Sequence, residues 1–217
     1  MKAYRTVYEG GRGEIVEKKS RFIAHVATAS TVEEAQLFID RIRKEYWDAR
    51  HNCSAFSVGT THPLTRSSDD GEPSGTAGKP ILEVITGSGI RNIVIVVTRY
   101  FGGTLLGTGG LVRAYTEAAR EGIRNCVIID KVPGVEISID TDYTDLGKIQ
   151  YILAQHNTPI LNTEYTDKVL ISAIFPLEDE KELGRLLSEG TSGRVRLEKG
   201  EDVFFGLAKG EIVLFKD

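Results

Sequence analysis

The chain has 217 residues, of which 41% are hydrophobic, and a formal net charge of −4. This length can bury a proper core and predicts one large or two small domains. Its two cysteines, Cys53 and Cys126, exclude a disulfide framework and indicate a reducing compartment. No apolar run approaches the roughly 20 residues of a membrane helix, and the N-terminus lacks a signal-like apolar stretch. We therefore expect a cytoplasmic protein with no membrane partner.

The charge is distributed unevenly along the chain. Residues 1–134 hold 18 Lys+Arg against 15 Asp+Glu, a net +3, whereas residues 135–217 hold 9 against 16, a net −7. Attraction to phosphate dominates nucleic-acid binding, so an acidic second half is a poor RNA-binding surface. If RNA is bound, the first half is expected to bind it.

The first third of the chain alternates strand-like and helix-like patterns. Residues 3–8 and 13–16 predict a hairpin around a Gly-Gly-Arg-Gly turn, and residues 22–28 predict a further strand. Helical spacing after a cap at Ser30 or Thr31 predicts a helix with one buried face. Residues 51–58 again predict a strand. The polar stretch 60–79 predicts a long loop, which in a compact domain is functional or disordered.

An apolar strand dominates the middle of the chain. Lys79-Pro80 predicts a helix start, and residues 91–99 predict a central strand that is buried on both faces. A second Gly-rich loop, residues 101–110, then leads into an amphipathic helix that ends near Ile123. A strand over residues 126–130 follows.

Pro133-Gly134 predicts a domain boundary, giving a first domain over 1–134 and a second over 135–217. The second domain begins with a strand over residues 135–140 and a helix over 143–156. Strands near 159–166 and 169–175, a helix over 177–189 and final strands over residues 195–199, 203–207 and 211–215 complete it. This β-α-β-β-α-β order is the ferredoxin-like split βαβ pattern.

Four segments of the sequence resemble the IMPACT (YigZ-type) family: KKSRFIA, ARHNCSAF, DDGEPSGTAGKP and RYFGGTLLGTGGLVRAY. The resemblance covers the whole chain and implies an α+β fold. Its N-terminal domain would be ribosomal protein S5 domain 2-like, and its C-terminal domain ferredoxin-like (βαββαβ). Eukaryotic relatives regulate translation initiation and the amino-acid-starvation kinase response, through a ribosome-associated activator of that kinase. The resemblance thus implies a translation-associated regulator that binds RNA, the ribosome or a ribosome-associated protein.

The stretch from Asp69 to Tyr115 holds most of the candidate binding residues. Arg99, at a strand end, clamps a phosphate or carboxylate ligand, forms a structural ion pair with Asp69, Asp70 or Glu72, or does both. Glycines before a helix either form a backbone anion site or only supply positive φ. Tyr100 and Phe101 either stack on a base or pack in the fold. The predicted anion- or nucleic-acid-binding residues are Arg50, His51, Thr76, Lys79, Arg99, Tyr100, Gly102, Gly103, Gly109, Gly110 and Arg113.

A basic rim adjoins these residues in the prediction. It consists of Lys18, Lys19, Arg21 and Arg91, and it is either part of the binding surface or an ordinary solvated face.

Catalysis is the minority interpretation of the same stretch. Asp69, Asp70 and Glu72 are candidates for acid–base chemistry or Mg²⁺ binding, with Asp70 and Glu72 as the candidate catalytic carboxylates, against the simpler interpretation of an acidic surface loop. Ser74 does not lie in a nucleophile elbow. The four histidines show no metal-binding spacing and no nucleotide motif is complete, so neither a metal nor a cofactor is predicted. The alternatives are an enzyme or binding protein for a small phosphorylated or anionic metabolite, and a pure protein-interaction module.

Overall fold

The structure is a computed structural model that describes residues 2–215, and it divides into two compact units. The N-terminal unit comprises residues 4–130, and the C-terminal unit comprises residues 131–215 with residues 2 and 3. Both units combine helices with sheets, so the predicted α+β class is confirmed.

The N-terminal unit contains three helices. Its elements are β1 (Tyr4–Glu9), β2 (Gly11–Glu17), β3 (Ser20–Thr28), α1 (Val32–Glu45), β4 (His51–Val58), β5 (Leu64–Ser68), α2 (Gly78–Ser88), β6 (Ile90–Arg91), β7 (Ile93–Tyr100) and α3 (Gly107–Arg124). The strand β8 (Val127–Thr141) begins in this unit and continues into the next.

A five-stranded antiparallel sheet in the order β2-β3-β7-β4-β5 forms the frame of the N-terminal unit. The central strand β7 is buried from Ile93 to Arg99, as its apolar run predicts. Helix α1 packs on one face, where Ile39 and Ile42 meet Val94 and Val96. Helices α2 and α3 cover the other face in a second, larger core cluster.

The predicted cap of α1 is a capping box on Thr31. Its side chain accepts a hydrogen bond from the Glu34 N–H (3.1 Å), and the Glu34 carboxylate accepts one from the Ser30 N–H (2.7 Å). The bond to Thr31 satisfies an N–H group that a helix start leaves without a partner, and the bond from Ser30 ties the residue before the cap to the first turn, one residue earlier than in the usual capping box. The chain therefore turns into the helix at this point.

Three local predictions for the N-terminal unit are wrong. Strand β2 forms its hairpin with β3, not with β1, because Lys18 and Lys19 both adopt positive φ (46° and 69°) in a two-residue turn. Strand β1 instead runs parallel to β6. Residues 60–79 are not one loop, since β5 lies within them, and α3 already begins at Gly107.

The C-terminal unit follows the predicted ferredoxin-like order. It contains α4 (Tyr143–Gln155), β9 (Ile160–Tyr165), β10 (Val169–Pro176), α5 (Glu180–Gly190), β11 (Arg196–Ala208) and β12 (Glu211–Phe215). The sheet order β9-β10-β8-β11-β12 is antiparallel throughout, and α4 and α5 share one core with β8 and β10. Two predicted bounds are wrong: β11 is one long strand, irregular between Lys199 and Asp202, and α5 starts at Glu180.

Across residues 2–215, none of the helices has both the length and the apolar character that crossing a bilayer requires.

Candidate nucleic-acid interface

Most of the predicted site residues lie at one end of the five-stranded sheet. The antiparallel register places His51 of β4 and Phe22 of β3 on either side of Arg99, the penultimate residue of β7. Two loops meet this end: residues 69–77, which precede α2, and residues 101–106, which precede α3. We call them the first loop and the second loop.

Asp69 organises the first loop through backbone donors. Its Oδ1 accepts hydrogen bonds from the N–H groups of Ala77 (3.0 Å) and Gly78 (2.8 Å), and its Oδ2 accepts one from Gly75 (2.8 Å). Desolvation alone would raise the pKa of this carboxyl, but the three N–H groups outweigh it and hold the pKa below its ordinary value. Asp69 therefore occupies the N-terminus of α2. Predicted binding residue Thr76 is buried beside it and donates to the Pro73 carbonyl (2.6 Å).

Asp70 connects the first loop to α1 and β4. Its Oδ1 accepts from Arg43 Nη2 (2.9 Å) and its Oδ2 accepts from the Asn52 N–H (2.7 Å). Its carbonyl oxygen accepts from His51 Nδ1 (2.9 Å), which fixes the tautomer of that ring. The backbone at Asp70 adopts a positive φ of 42°, which Asp tolerates better than most residues. His51 thus holds the loop in place.

Glu72 and Arg99 form a buried ion pair with only 8% and 7% of each residue exposed. Arg99 Nη1 donates to Glu72 Oε1 at 2.6 Å, and the Tyr115 hydroxyl donates to the same oxygen at 2.8 Å. Cys53 Sγ lies 3.3 Å from that hydroxyl and donates to the Asp69 carbonyl at 2.9 Å. Burial raises the pKa values of both the Cys53 thiol and the Tyr115 hydroxyl, so both stay protonated.

Of the interpretations of Arg99, the geometry therefore gives the structural ion pair. Nη1 is occupied by Glu72, while Nε is buried and has no hydrogen-bond partner among residues 2–215. Asp70 and Glu72, the candidate catalytic carboxylates, each accept two hydrogen bonds from groups of the fold. The carboxylates of the acidic motif DDGE are thus hydrogen-bonded within the fold, with Glu72 buried and Asp69 and Asp70 half-buried.

The second loop has a different character. Phe101 and Leu105 are 56% and 83% exposed, and the backbone of Gly102 lies so close to Lys19 that an added Cβ would clash with its carbonyl group. The Gly102 N–H donates to Ser20 Oγ at 3.1 Å. Gly103 has a φ of 87°. This loop is therefore anchored at one end on the β2–β3 turn and exposes apolar side chains beyond it.

Helix α3 begins at the second loop with no side-chain cap and no acidic residue in its first turn. Predicted residues Gly109 and Gly110 lie inside this turn and not in the loop. Arg113 is exposed, and its side chain extends toward the N-terminus of α3, where its Nη1 lies 3.7 Å from the Cβ position of Gly109. A helix start of this kind favours negative charge.

Exposed cations surround the second loop. Lys18, Lys19, Arg50 and Arg113 are exposed and form no ion pair within the described part of the chain. Lys79, on the first turn of α2, is also exposed and lies 4.0 Å from Glu83. We call the four cations, together with Phe101 and Leu105, the strand-end surface.

Tyr100 links this surface to the end of α1. Its hydroxyl donates to Asp48 Oδ1 at 2.7 Å, and the neighbouring residue Trp47, the single tryptophan of the chain, is 82% exposed. The hydrogen bond raises the pKa of the Tyr100 hydroxyl. Tyr100 therefore has a packing role, while the adjacent aromatic rings at 47 and 101 are the ones that solvent reaches.

Sequence reasoning missed Cys53, Tyr115, Arg43 and Asn52, which complete the contacts of the first loop. Their patterns predict only core and helix positions. A single sequence gives no signal that pairs Arg43, Asn52 and Tyr115 with carboxylates 18 to 43 residues away, or Cys53 with the Asp69 carbonyl 16 residues away. Within residues 2–215, no group of three or more His, Cys, Asp or Glu side chains has the geometry for a metal ion.

Comparisons with known proteins place this geometry in a family. The model of the Impact N-terminal domain matches residues 18–123, and that of a domain of unknown function, DUF1949, matches residues 139–194. The Bacillus subtilis IMPACT family member YvyE is 38% identical over 212 residues, which cover 98% of each chain. The Escherichia coli IMPACT family member YigZ is 40% identical over 182 residues, covering 83% of this chain and 89% of that protein.

A solved structure supports the same assignment. The crystal structure of a hypothetical protein, 36% identical in sequence, covers 93% of this chain and 98% of its own with a TM-score of 0.60. Likeness over nearly the full length of both chains, in sequence and in fold, is evidence of common ancestry. The chain belongs to the IMPACT family.

Proposed function

We propose that this protein is a translation-associated regulatory factor whose N-terminal unit binds RNA through the strand-end surface. Regulation of translation is what the resemblance to the eukaryotic members of the family implies. The observation that carries the RNA proposal is that the unpaired charge exposed at this end of the sheet is positive. The carboxylates of the first loop are hydrogen-bonded within the fold, whereas Lys18, Lys19, Arg50 and Arg113 face solvent without an ion-pair partner among the described residues.

A surface of this composition suits a flexible polyanion. Unpaired Lys and Arg side chains release counterions from phosphates, which supplies most of the affinity for nucleic acid. Exposed aromatic rings provide stacking platforms for unpaired bases, and Phe101 and Trp47 are the rings available here. The RNA would therefore be single-stranded, with phosphates on the cations and bases on the rings.

Arg99 serves this surface indirectly. Its guanidinium is buried against Glu72 and lies 5.7 Å from the Phe101 ring centroid, so it supports the base of the second loop. The same contacts weaken the enzyme alternative, because Asp70 and Glu72 are engaged in the fold. A small anionic metabolite would use the same cations without needing the exposed rings.

The direct test is fluorescence anisotropy with a labelled single-stranded RNA of about 12 nucleotides, measured over a series of salt concentrations. The informative variant combines Lys18→Asn with Lys19→Gly. Asn-Gly is the preferred sequence for a two-residue hairpin turn with positive φ, so the charges are removed while the turn is kept. We expect weaker binding, with a salt slope reduced by about 0.7 for each phosphate that the variant no longer neutralises.

A matched control removes two cations from the opposite end of α3, by Arg120→Ala with Arg124→Ala. These arginines already pair with Glu117 and Glu121, so we expect little change in RNA affinity. Equal effects of the two double variants would contradict a specific surface. Ribosome co-sedimentation then addresses translation: loss of association in the turn variant supports it, and association that survives unchanged points to a protein partner.

A further inference from the structure

Strand β5 is an open edge of the five-stranded sheet. It pairs only with β4, through the register Ser54–Ser68 to Val58–Leu64, and no other described strand lies on its outer side. Residues 64 to 67 are exposed and Ser68 is half-buried. An edge of this kind presents backbone N–H and C=O groups that can pair with another chain.

The opposite edge strand of the sheet, β2, packs closely against the C-terminal end of α3. A Cβ at Gly11 or Gly13 would lie 2.6–2.7 Å from the backbone of α3 or of Asn125, which shows how closely this helix end approaches the strand. The Asn125 side chain also donates to the Arg12 carbonyl at 2.9 Å. On β5 the start of α2 comes as close to Ser68, whose backbone lies 2.7 Å from the Cβ position of Gly78, whereas residues 64–67 are exposed and accessible.

A groove runs beside the accessible edge. It has a volume of about 190 Å³ and lies between α1 and the strand pair β4–β5. Ile39 and Phe56 contribute its apolar lining, and Arg43 and Arg66 contribute its charge. Arg66 stands opposite Phe56 in the β4–β5 register, so its side chain lies on the same face of the sheet as Phe56, which is the face that α1 covers.

Both arginines retain hydrogen-bonding capacity. Arg66 has no ion pair or side-chain hydrogen bond among residues 2–215. Arg43 uses Nη2 to bind Asp70, but its Nε is buried and has no partner within the described part of the chain. An acceptor that enters the groove would satisfy donors that the fold leaves unused.

We propose that β5 is a docking edge for an extended acidic segment of a partner protein, which adds to the sheet as a sixth strand. Backbone pairing would hold the segment, and a carboxylate on its groove-facing side would meet Arg66 at the mouth of the groove. A second copy of this chain fits poorly through β5, because antiparallel self-pairing centred on this strand places Arg66 against its own copy. The docking edge is separate from the strand-end surface, so that RNA and the acidic segment would not share residues.

The test uses the full chain, labelled with ¹⁵N, and two synthetic peptides of the pattern Val-X-Val-X-Val, with X either Glu or Lys. We expect the Glu peptide to shift the amide signals of residues 64–68 and to slow their hydrogen exchange. The Lys peptide should bind about fivefold more weakly, as an exposed charge pair contributes modestly. No response of β5 to either peptide, or equal binding of both, would overturn the proposal.

Charge reversal at the edge sharpens this test. Arg66→Glu, an exposed substitution, should invert the preference so that the Lys peptide binds better than the Glu peptide. Arg120→Glu on α3 is the matched control and should leave the preference unchanged. If Arg66→Glu left the order of the two peptides as it was, or if the shifts fell outside β5 and the adjoining groove, acidic strand addition would be refuted.

Discussion

The two glycine-containing loops at the end of the sheet look alike in sequence but differ in structure. Both precede a helix on the same face of the sheet. The first loop is held by three carboxylates that are hydrogen-bonded within the fold, and its helix start is occupied by Asp69. The second loop has no acidic residue, and the helix that follows it has no side-chain cap.

The difference lies in which group satisfies the backbone donors. In the first loop an intramolecular carboxylate fills the position at the helix start that an external anion would need. In the second loop that position is left to solvent or to a ligand, with Arg113 and Lys19 nearby. Glycine content alone therefore does not distinguish an anion site from a self-contained turn. The presence or absence of acidic residues in the loop does distinguish them.

The largest expected effect comes from breaking the ion pair under the first loop. Arg99→Ala leaves the Glu72 carboxylate buried without its charge partner, which should cost about 3–5 kcal/mol in the free energy of unfolding. Urea denaturation measures the loss. The double variant Arg99→Met with Glu72→Gln should recover most of it, because no buried charge then remains. A single variant as stable as the parent would show that the pair does not support the loop.

A smaller loss should follow from removing the acceptor at the start of α2. Asp69→Ala deprives three N–H groups of their partner and should cost about 2–3 kcal/mol. Hydrogen exchange should accelerate at residues 75, 77 and 78, while the amides of the second loop keep their rates. Equal acceleration in both loops would mean that they are not independent.

The sequence predicts much of this fold and less of its site. The apolar run of β7, the capping box of α1 and the βαββαβ order of the C-terminal unit follow from patterns within a few residues. The contacts of Glu72 with Arg99 and Tyr115 span 27 and 43 residues, and no local pattern selects them among several equivalent carboxylates. The β1–β2 hairpin fails for a related reason: the competing Lys18-Lys19 turn lacks the Gly or Asn that normally signals it.

An acid titration should separate the contributions of the sheet and of the first loop. Burial, with Arg12 nearby, lowers the pKa of His25 to about 4, whereas its unfolded value is near 6.5. The unfolded chain therefore binds the proton first, and stability falls as the pH drops from about 6.5 toward 4, by about 1 kcal/mol at pH 5.5. Asp69 loses its stabilising contribution at a lower pH. The folded state lowers the pKa of this carboxyl, so the contribution is lost as the pH falls below the ordinary pKa of 3.8.

His25→Gln is the control for this pH dependence. Its amide stays neutral, so the unfolding free energy should lose most of its slope between pH 6.5 and about 5. The loss at lower pH, to which Asp69 and other carboxyls with a lowered pKa such as Glu14 contribute, should stay in place. Chemical denaturation at several pH values measures both phases. A slope that is unchanged in the variant would assign the loss to another group.

The smallest effect concerns the exposed side of the second loop. Tyr100→Phe removes only the hydrogen bond to Asp48, a partly exposed contact, and should cost about 0.5–1 kcal/mol. Because Trp47 is the single tryptophan, its fluorescence reports directly on the freed segment, and we expect its emission to change while the unfolding midpoint moves little. If Trp47 stacks on RNA, quenching by RNA should weaken in this variant although every cation of the strand-end surface is retained. Undiminished quenching would mean that Trp47 stacks on RNA without the help of the Tyr100–Asp48 hydrogen bond. No quenching by RNA in either protein would mean that base stacking relies on Phe101 alone, so that the second loop, and not the end of α1, presents the aromatic part of the surface.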